Sequence, residues 1–415
     1  MSDQLAPAAK KIVVIGGGPA GVFAAIEAKR ADPAASVLLL TDEACEPYEK
    51  PPLSKAVLTG KALPEHALIA GPKGAAAHNV VLESTAVITA IDRAAHQVIV
   101  ADGRRYLYDA LVLATGSLVR ELAQLPLGMP RVHYLRTEAD ARLLAAALRG
   151  CKHLVVVGGG LIGLEAAASG AELGLSVTVL EVAPRILARV CDEETGAFIA
   201  EQHRRHGVDL HTATAIVGVR STPDAVEIET SAGAILAADT VVVGTGVRPN
   251  DALAAAAGLK IDNGIVVDEQ CRTADPTIFA AGDAVRFPAP HGLVRLENWK
   301  HAQDQGAVAG RNAAGKSEAY RTVPSFWSEQ YDLYIQGVGY APAQPAARIR
   351  RPLGGNSMLS FEIADGVLAY AMGINAQRDL AAARRLIERR SPVDAAARAE
   401  PARPLASLLK ATAGQ

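Results

Sequence analysis

Two glycine turns of identical spacing constrain this chain more than any other feature. "VVIGGGPAGVFAA", from Val13, and "VVVGGGLIGLEAA", from Val155, each leave an apolar strand through Gly-x-Gly-x-x-Gly and enter a helical pattern. In such a turn the first glycine (Gly16, Gly158) permits the tight bend. The second (Gly18, Gly160) lets a pyrophosphate approach the backbone, and the third (Gly21, Gly163) lets helix and strand pack closely. The helix N-terminus then offers free N–H groups to phosphate. A second strand follows each helix, "SVLLLT" and "SVTVL", and each is followed by an acid placed for ribose hydroxyls, Asp42 and Glu181. One fingerprint alone is weak evidence; two in strand–turn–helix context indicate two dinucleotides, one held and one exchanged. That combination points to FAD plus NADH. A carboxylate at Glu181 accepts ribose hydroxyls and repels a 2′-phosphate, which favours NADH over NADPH.

Two further strands end on glycine. "LVLATGS" carries Ala114, Thr115 and Gly116, and "VVVGTGVRPN" carries Gly246. Turns of this kind let the chain cross between domains while passing near a nucleotide. Alternating segments such as "VVLESTAVITAI" predict antiparallel strands. A helix is expected from Ala302, and from about Phe326 the pattern changes to strands, a basic helix and an Ala/Pro-rich end. The expected fold class is α/β, with two Rossmann-like dinucleotide-binding domains and a C-terminal α+β domain. The expected boundaries are 1–117 with 249–325 for FAD, 118–248 for NAD, and 326–415 for the third domain.

Charge excludes some functions. With 42 Lys and Arg against 44 Asp and Glu, the chain has no general electrostatic case for nucleic acid or a membrane surface. No apolar run approaches the roughly 18–20 residues of a membrane span, and "MSDQLAPAAKK" lacks the apolar stretch of a secretory signal. A cytoplasmic protein is expected. Cys45, Cys151, Cys191 and Cys271 form no CxxC pair, so neither a local redox disulfide nor cluster ligands are expected. Electrons must therefore travel on an organic cofactor and leave the molecule. Cys45 falls in a loop, where it is either a surface thiol or a reactive one. His203, His206 and His211 sit at a helix end and the following strand, with no metal site expected.

At "PYEKPPLSK", "GGGLIGLE", "FAAGDAV", "ENWKHAQDQG" and "FWSEQY" the chain resembles a family, the FAD- and NADH-dependent ferredoxin reductases of bacterial oxygenase systems. The resemblance runs from about Lys11 to Leu409 and implies a glutathione-reductase-like fold. It implies that Asp42 binds the FAD ribose, Val87 meets the adenine through its backbone, Arg136 helps hold FAD, and Asp283 bonds the ribityl chain. Lys55 would lie beside the flavin N5, paired with Glu165. A cation there stabilises electron density arriving on the ring, and the carboxylate orients it. Trp299 and Trp327 fall in motifs around the flavin, with Trp299 meeting it through its backbone N–H. Ile162, Gly246 and Glu297 go with NAD. The implied activity is that of a ferredoxin–NAD(+) reductase, passing electrons to a small [2Fe-2S] ferredoxin that serves an oxygenase. Rubredoxin is an alternative partner, and an NADH oxidase or peroxidase using Cys45, or a non-catalytic FAD/NADH sensor, are alternative functions. Lysine rather than cysteine in "PPLSK" argues against the oxidase. Arg348, Arg350 and Arg351, and Arg378, Arg384, Arg385, Arg389 and Arg390, form basic clusters expected to steer an acidic ferredoxin.

Overall fold

The computed structural model describes residues 9–290, 292–342, 347–392, 405 and 407. The chain divides into two compact units, one formed by Met1–Glu49, Pro64–Leu118 and Val247–Thr322, the other by Lys50–Leu63, Val119–Gly246 and Val323–Gln415.

The first unit is organised by a parallel five-stranded sheet, in the order Ile278–Ala280, Ala110–Leu113, Lys11–Ile15, Ser36–Leu40, Val81–Glu83. The central strands read as unbroken apolar runs, as strands covered on both faces do, and Ile12, Val14, Leu39 and Leu111 have no exposed surface. The helix Pro19–Ala31 opens with proline at its first position, where no N–H is missed, and carries Lys29 and Arg30 in its last turn. A second helix, Trp299–Ala313, begins ahead of the expected Ala302 because Asn298 caps it, accepting from the His301 N–H at 2.9 Å.

These two helices cross at near-contact distance. A Cβ on Gly306 would stand 2.1 Å from the Ala20 carbonyl oxygen, and one on Gly310 would stand 2.0 Å from that of Ala24. Only glycine allows that approach, and the helix it brings in is the one that starts at the first glycine turn.

The second unit repeats the plan. Its parallel sheet runs Val208–His211, Ser176–Leu180, His153–Val157, Thr240–Val243, Val132–Tyr134. The helix Leu161–Glu172 follows the second glycine turn, and Glu193–Arg205 is capped by Asp192, which accepts from the Thr195 N–H at 3.0 Å. The same unit holds an antiparallel sheet in the order Ser325–Gln330, Leu333–Gly339, Val367–Ile374, Ser357–Ala364, Ala347–Gly354. The helix Gln377–Glu388 packs on it through Leu380, Ala383 and Leu386. Two Rossmann-like sheets and a C-terminal antiparallel sheet give the α/β class expected from the sequence.

One expectation needs correction. The cluster Arg348, Arg350 and Arg351 is not a free basic patch. Arg348 pairs with Glu362 at 2.5 Å, Arg350 with Asp192 at 3.0 Å and Glu194 at 2.5 Å, and Arg351 is buried over the Phe361 ring. These charges hold the antiparallel sheet together and join it to the helix cap at Asp192.

Candidate functional site

The first glycine turn is built to leave one space open. A Cβ on Gly16 (φ 118°) would lie 2.1 Å from the Ala114 carbonyl oxygen, and one on Gly21 would lie 1.8 Å from that of Gly16. Gly18 meets nothing within 4 Å, and as N-cap it contributes no side chain. The first-turn N–H groups are thus left for a ligand. Asp42 is exposed just past the second strand. Val87 is also exposed, and its carbonyl accepts from the Ala101 N–H at 2.8 Å. At the crossing, Ala114 N–H bonds Ile15, Thr115 Oγ1 donates to the Asn250 carbonyl at 2.6 Å, and Asn250 N–H donates to Gly116 at 2.9 Å.

Further round the same unit, Asp283 accepts from Ser117 Oγ at 3.0 Å. The Gly282 N–H donates to Gln305 Oε1 at 2.8 Å. His301 is buried, its Nδ1 is 2.7 Å from the Tyr320 hydroxyl, and burial pushes its pKa down to about 3. Two buried atoms, His301 Nε2 and Gln305 Nε2, have no partner among the described residues. Trp299 meets Phe23 edge-on at 6.2 Å, and burial raises the carboxyl of Glu49. Glu297 pairs with Arg295 at 2.6 Å. An uncapped helix, an open cradle at Gly18 and unsatisfied buried polar atoms are what a large phosphate-bearing cofactor fits.

The second turn matches the first in detail. A Cβ on Gly158 (φ 112°) would lie 2.5 Å from the Gly244 carbonyl oxygen and one on Gly163 2.1 Å from that of Gly158, while Gly160 has no atom nearer than 4.0 Å and adds no cap. Ile162 is exposed beside it. Both oxygens of Glu181 are fixed by backbone, Oε2 accepting from Gly159 N–H at 2.6 Å and Oε1 from Ala183 N–H at 2.7 Å. Each oxygen keeps a lone pair for a ribose hydroxyl. Arg185 turns inward and donates to the Ala188 carbonyl at 3.0 Å, so it does not stand ready as a 2′-phosphate clamp. Gly246 has φ 96°, and its carbonyl accepts from Arg120 N–H at 2.9 Å.

Lys55 and Glu165 form a third group, wholly within the second unit. A 3₁₀ turn, Pro51–Ser54, delivers Lys55, whose Nζ stands 3.3 Å from Glu165 Oε1. Glu165 is 5% exposed on the helix Leu161–Glu172. Ser328 Oγ donates to the same oxygen at 2.6 Å, and Ser54 Oγ donates to Oε2. Ser54 is itself anchored, its carbonyl accepting from Ser169 Oγ at 2.8 Å. A buried carboxylate is costly unless a cation and hydrogen bonds compensate it; here one ammonium and two hydroxyls do. Arg136 lies just beyond the strand Val132–Tyr134, its N–H bonded to Asp140 at 3.1 Å and its carbonyl facing Lys50 Nζ at 3.5 Å.

Comparison with known proteins decides what carries this geometry. Residues 10–306 match the family model described as pyridine nucleotide-disulphide oxidoreductase, and residues 325–409 match the one described as reductase C-terminal. The chain is 37% identical over 385 residues to rhodocoxin reductase of Rhodococcus erythropolis, covering 92% of this chain and 90% of that protein. It is 39% identical over 384 residues to the ferredoxin–NAD(+) reductase component of the anthranilate 1,2-dioxygenase system of Burkholderia cepacia, covering 91% and 94%. It is also similar to the crystal structure of a covalent putidaredoxin reductase–putidaredoxin complex, with TM-score 0.92, 34% identity and coverage of 98% and 99%. The chain belongs to the ferredoxin reductase family. As a member it is an oxidoreductase that uses FAD and NAD(H).

The reductase's other candidate groups sort readily. Among the described residues no His, Cys, Asp or Glu grouping could hold a metal ion. His203 bonds Gln330, His206 stacks on Tyr331 and His211 pairs with Asp209, so the three rings do not converge. None of the four cysteines is in a disulfide; Cys45 is half-buried and the rest are buried. Burial raises the Cys151 thiol and pushes Cys191 up to about 12, which keeps both protonated. No helix among the described residues is long and apolar enough to cross a membrane.

Sequence reasoning did not single out Ser54, Ser328, Gly306 or Gly310. The serines lay inside quoted motifs, and the glycines form a GxxxG pattern that signals close helix packing; neither signal named its partner.

The Glu181 geometry yields a prediction. Replacing Glu181 with alanine should shrink an NADH preference of at least about tenfold, roughly 1.4 kcal/mol, toward parity. Steady-state kcat/KM with NADH and NADPH measures it, and an unchanged ratio would remove Glu181 as the ribose ligand.

Proposed function

We propose that the reductase takes hydride from NADH onto FAD and passes electrons one at a time to a small [2Fe-2S] ferredoxin, which feeds a Rieske dioxygenase or a cytochrome P450. Bound FAD supplies the conversion of a two-electron donor into single electrons. The observation that carries this reading is Lys55, paired with buried Glu165 where an internal thiol acceptor would need cysteine.

Each remaining residue then has a task. Segments 1–117 and 249–325 hold FAD, with Gly16, Gly18 and Gly21 admitting the pyrophosphate. Asp42 takes the ribose, Val87 the adenine edge, Asp283 the ribityl chain, and Ala114, Thr115 and Gly116 form the turn alongside. Arg136 and Trp299 assist. Residues 118–248 hold NADH through Gly158, Gly160, Ile162, Gly163, Glu181 and Gly246, with Glu297 toward the nicotinamide, and 326–415 form the third domain. Lys55 is assigned to the flavin N5, where its charge favours arriving electron density, and Glu165 keeps the ammonium from swinging away. The protein is assigned to the cytoplasm.

For docking, the helix Gln377–Glu388 and its cap offer Arg378, Arg385 and Arg389, all exposed, whereas Arg384 is held by Glu388 at 2.9 Å. Charge reversal at Arg385 and Arg389 should lower ferredoxin reduction severalfold at low salt. The loss should shrink at high salt, where the field is screened, with ferricyanide reduction unchanged. If ferredoxin reduction does not fall, the docking face lies elsewhere.

The function itself is tested by NADH-driven cytochrome c reduction with and without a panel of small iron–sulfur proteins. A [2Fe-2S] ferredoxin should raise turnover, rubredoxin less so. Equal turnover with and without every carrier would favour an oxidase.

A further inference from the structure

Glu165 is the end of a longer line of buried polar groups. Ser328 Oγ lies 2.6 Å from Glu165 Oε1, and Gln330 Nε2 lies 3.1 Å from Ser328 Oγ. Gln330 Oε1 is 2.9 Å from His203 Nε2, and the Tyr331 hydroxyl is 2.9 Å from His203 Nδ1. Glu165, Ser328, Gln330 and His203 are each at most 5% exposed, and every member belongs to the same compact unit. At the outer end the His206 ring stacks on Tyr331, centroids 3.7 Å apart and planes 7° from parallel. Tyr331 sits in the turn between Ser325–Gln330 and Leu333–Gly339 with φ 57°, a conformation uncommon for a bulky side chain.

The direction of each bond follows from what each group can give. An ionised carboxylate only accepts, so the single Ser328 O–H points at Glu165. Ser328 Oγ then accepts, and Gln330 must turn its NH₂ toward it and its carbonyl toward His203. That carbonyl needs a donor, which puts the ring proton of neutral His203 on Nε2. Nδ1 keeps a lone pair and accepts the Tyr331 O–H. Burial keeps the ring neutral, its pKa pushed down to about 4. Four hydrogen bonds therefore run one way and end on one negative charge, each polarising the next.

We infer that His203 and Gln330 are positioning residues for the Lys55–Glu165 pair. Lys55 Nζ faces the same carboxylate oxygen that Ser328 holds, so the chain fixes where the ammonium finds its partner. The inference rests on the proposed role of that pair in flavin reduction, but the direction of the chain does not.

Two measurements test it. Ring ¹⁵N NMR of the holoenzyme should show His203 neutral and protonated at Nε2. In Glu165→Gln the anion is gone and the new amide can donate to Ser328, so the His203 signal should move to the Nδ1–H tautomer or to an average of both. The same His203 tautomer in both proteins, or Nδ1–H in the wild type, overturns the inference. In stopped flow, His203→Leu should slow flavin reduction by NADH about tenfold with NADH affinity unchanged. His203→Gln, whose amide N–H reaches the Gln330 carbonyl, should restore at least half the rate. Should His203→Leu fail to fold, Gln330→Met cuts the same chain with the same expected slowing. An unslowed variant, or no rescue by His203→Gln, also overturns it. The tautomer needs no turnover, so it fails independently of any failure of Lys55.

Discussion

Replacing Gly310 with alanine should lower the melting temperature by about 4–8 °C and strip FAD from the protein. The new Cβ would stand 2.0 Å from the Ala24 carbonyl oxygen, a backbone atom that no side-chain rotation can move aside. Alanine gains up to about 1 kcal/mol of helix propensity over glycine. Overpacking a tight contact costs about 1–3 kcal/mol, and more where backbone must shift, so the clash wins. For a unit of this size each kcal/mol moves the midpoint by roughly 2–4 °C. The displaced helix would be Pro19–Ala31, whose N-terminus is the first glycine turn, so flavin retention should fall further than stability alone requires. Gly150→Ala is the control, since its Cβ meets nothing within 4 Å. Thermal melts and flavin content by absorbance check both. A Gly310→Ala protein that melts and retains FAD like the wild type would show that the close approach is not what holds the turn.

Lys55→Met should slow flavin reduction by NADH about 30- to 100-fold, while NADH affinity changes less than about threefold. A charge placed where charge develops is worth roughly 2–3 kcal/mol to the reaction step. The substitution also leaves Glu165 buried without its cation, still bonded by Ser54 and Ser328. Lys55→Arg should not restore the rate fully, because a planar guanidinium does not reproduce a compact ammonium. Stopped-flow reduction over a range of NADH concentrations separates rate from affinity. Equal limiting rates in mutant and wild type would take Lys55 out of the reaction.

The fold was legible where its rules are local. Gly-x-Gly-x-x-Gly between strand and helix states its own geometry, and the Cβ clashes at Gly16, Gly21, Gly158 and Gly163 are the physical reason those glycines sit where they do. The start of the Trp299–Ala313 helix was missed although Asn298 carried a capping signal, because the apolar period begins only further along. Glu165 was legible as a partner for Lys55 only through family resemblance. Its serine partners come from 111 and 163 residues away in sequence, and no periodicity reports such a contact. The same limit explains Arg348, Arg350 and Arg351. As a sequence they are a basic patch, and the groups that absorb them, Glu362 for Arg348, Asp192 and Glu194 for Arg350, and the Phe361 ring for Arg351, lie on other elements.

The most direct test of the account is a single-turnover experiment without oxygen. The holoenzyme is reduced with one equivalent of NADH and mixed with excess oxidised [2Fe-2S] ferredoxin in stopped flow. Two equivalents of reduced ferredoxin per FAD are expected, formed in single-electron steps as the flavin reoxidises. Flavin that stays reduced in the presence of every ferredoxin tried, and reoxidises only when oxygen is admitted, would contradict the account.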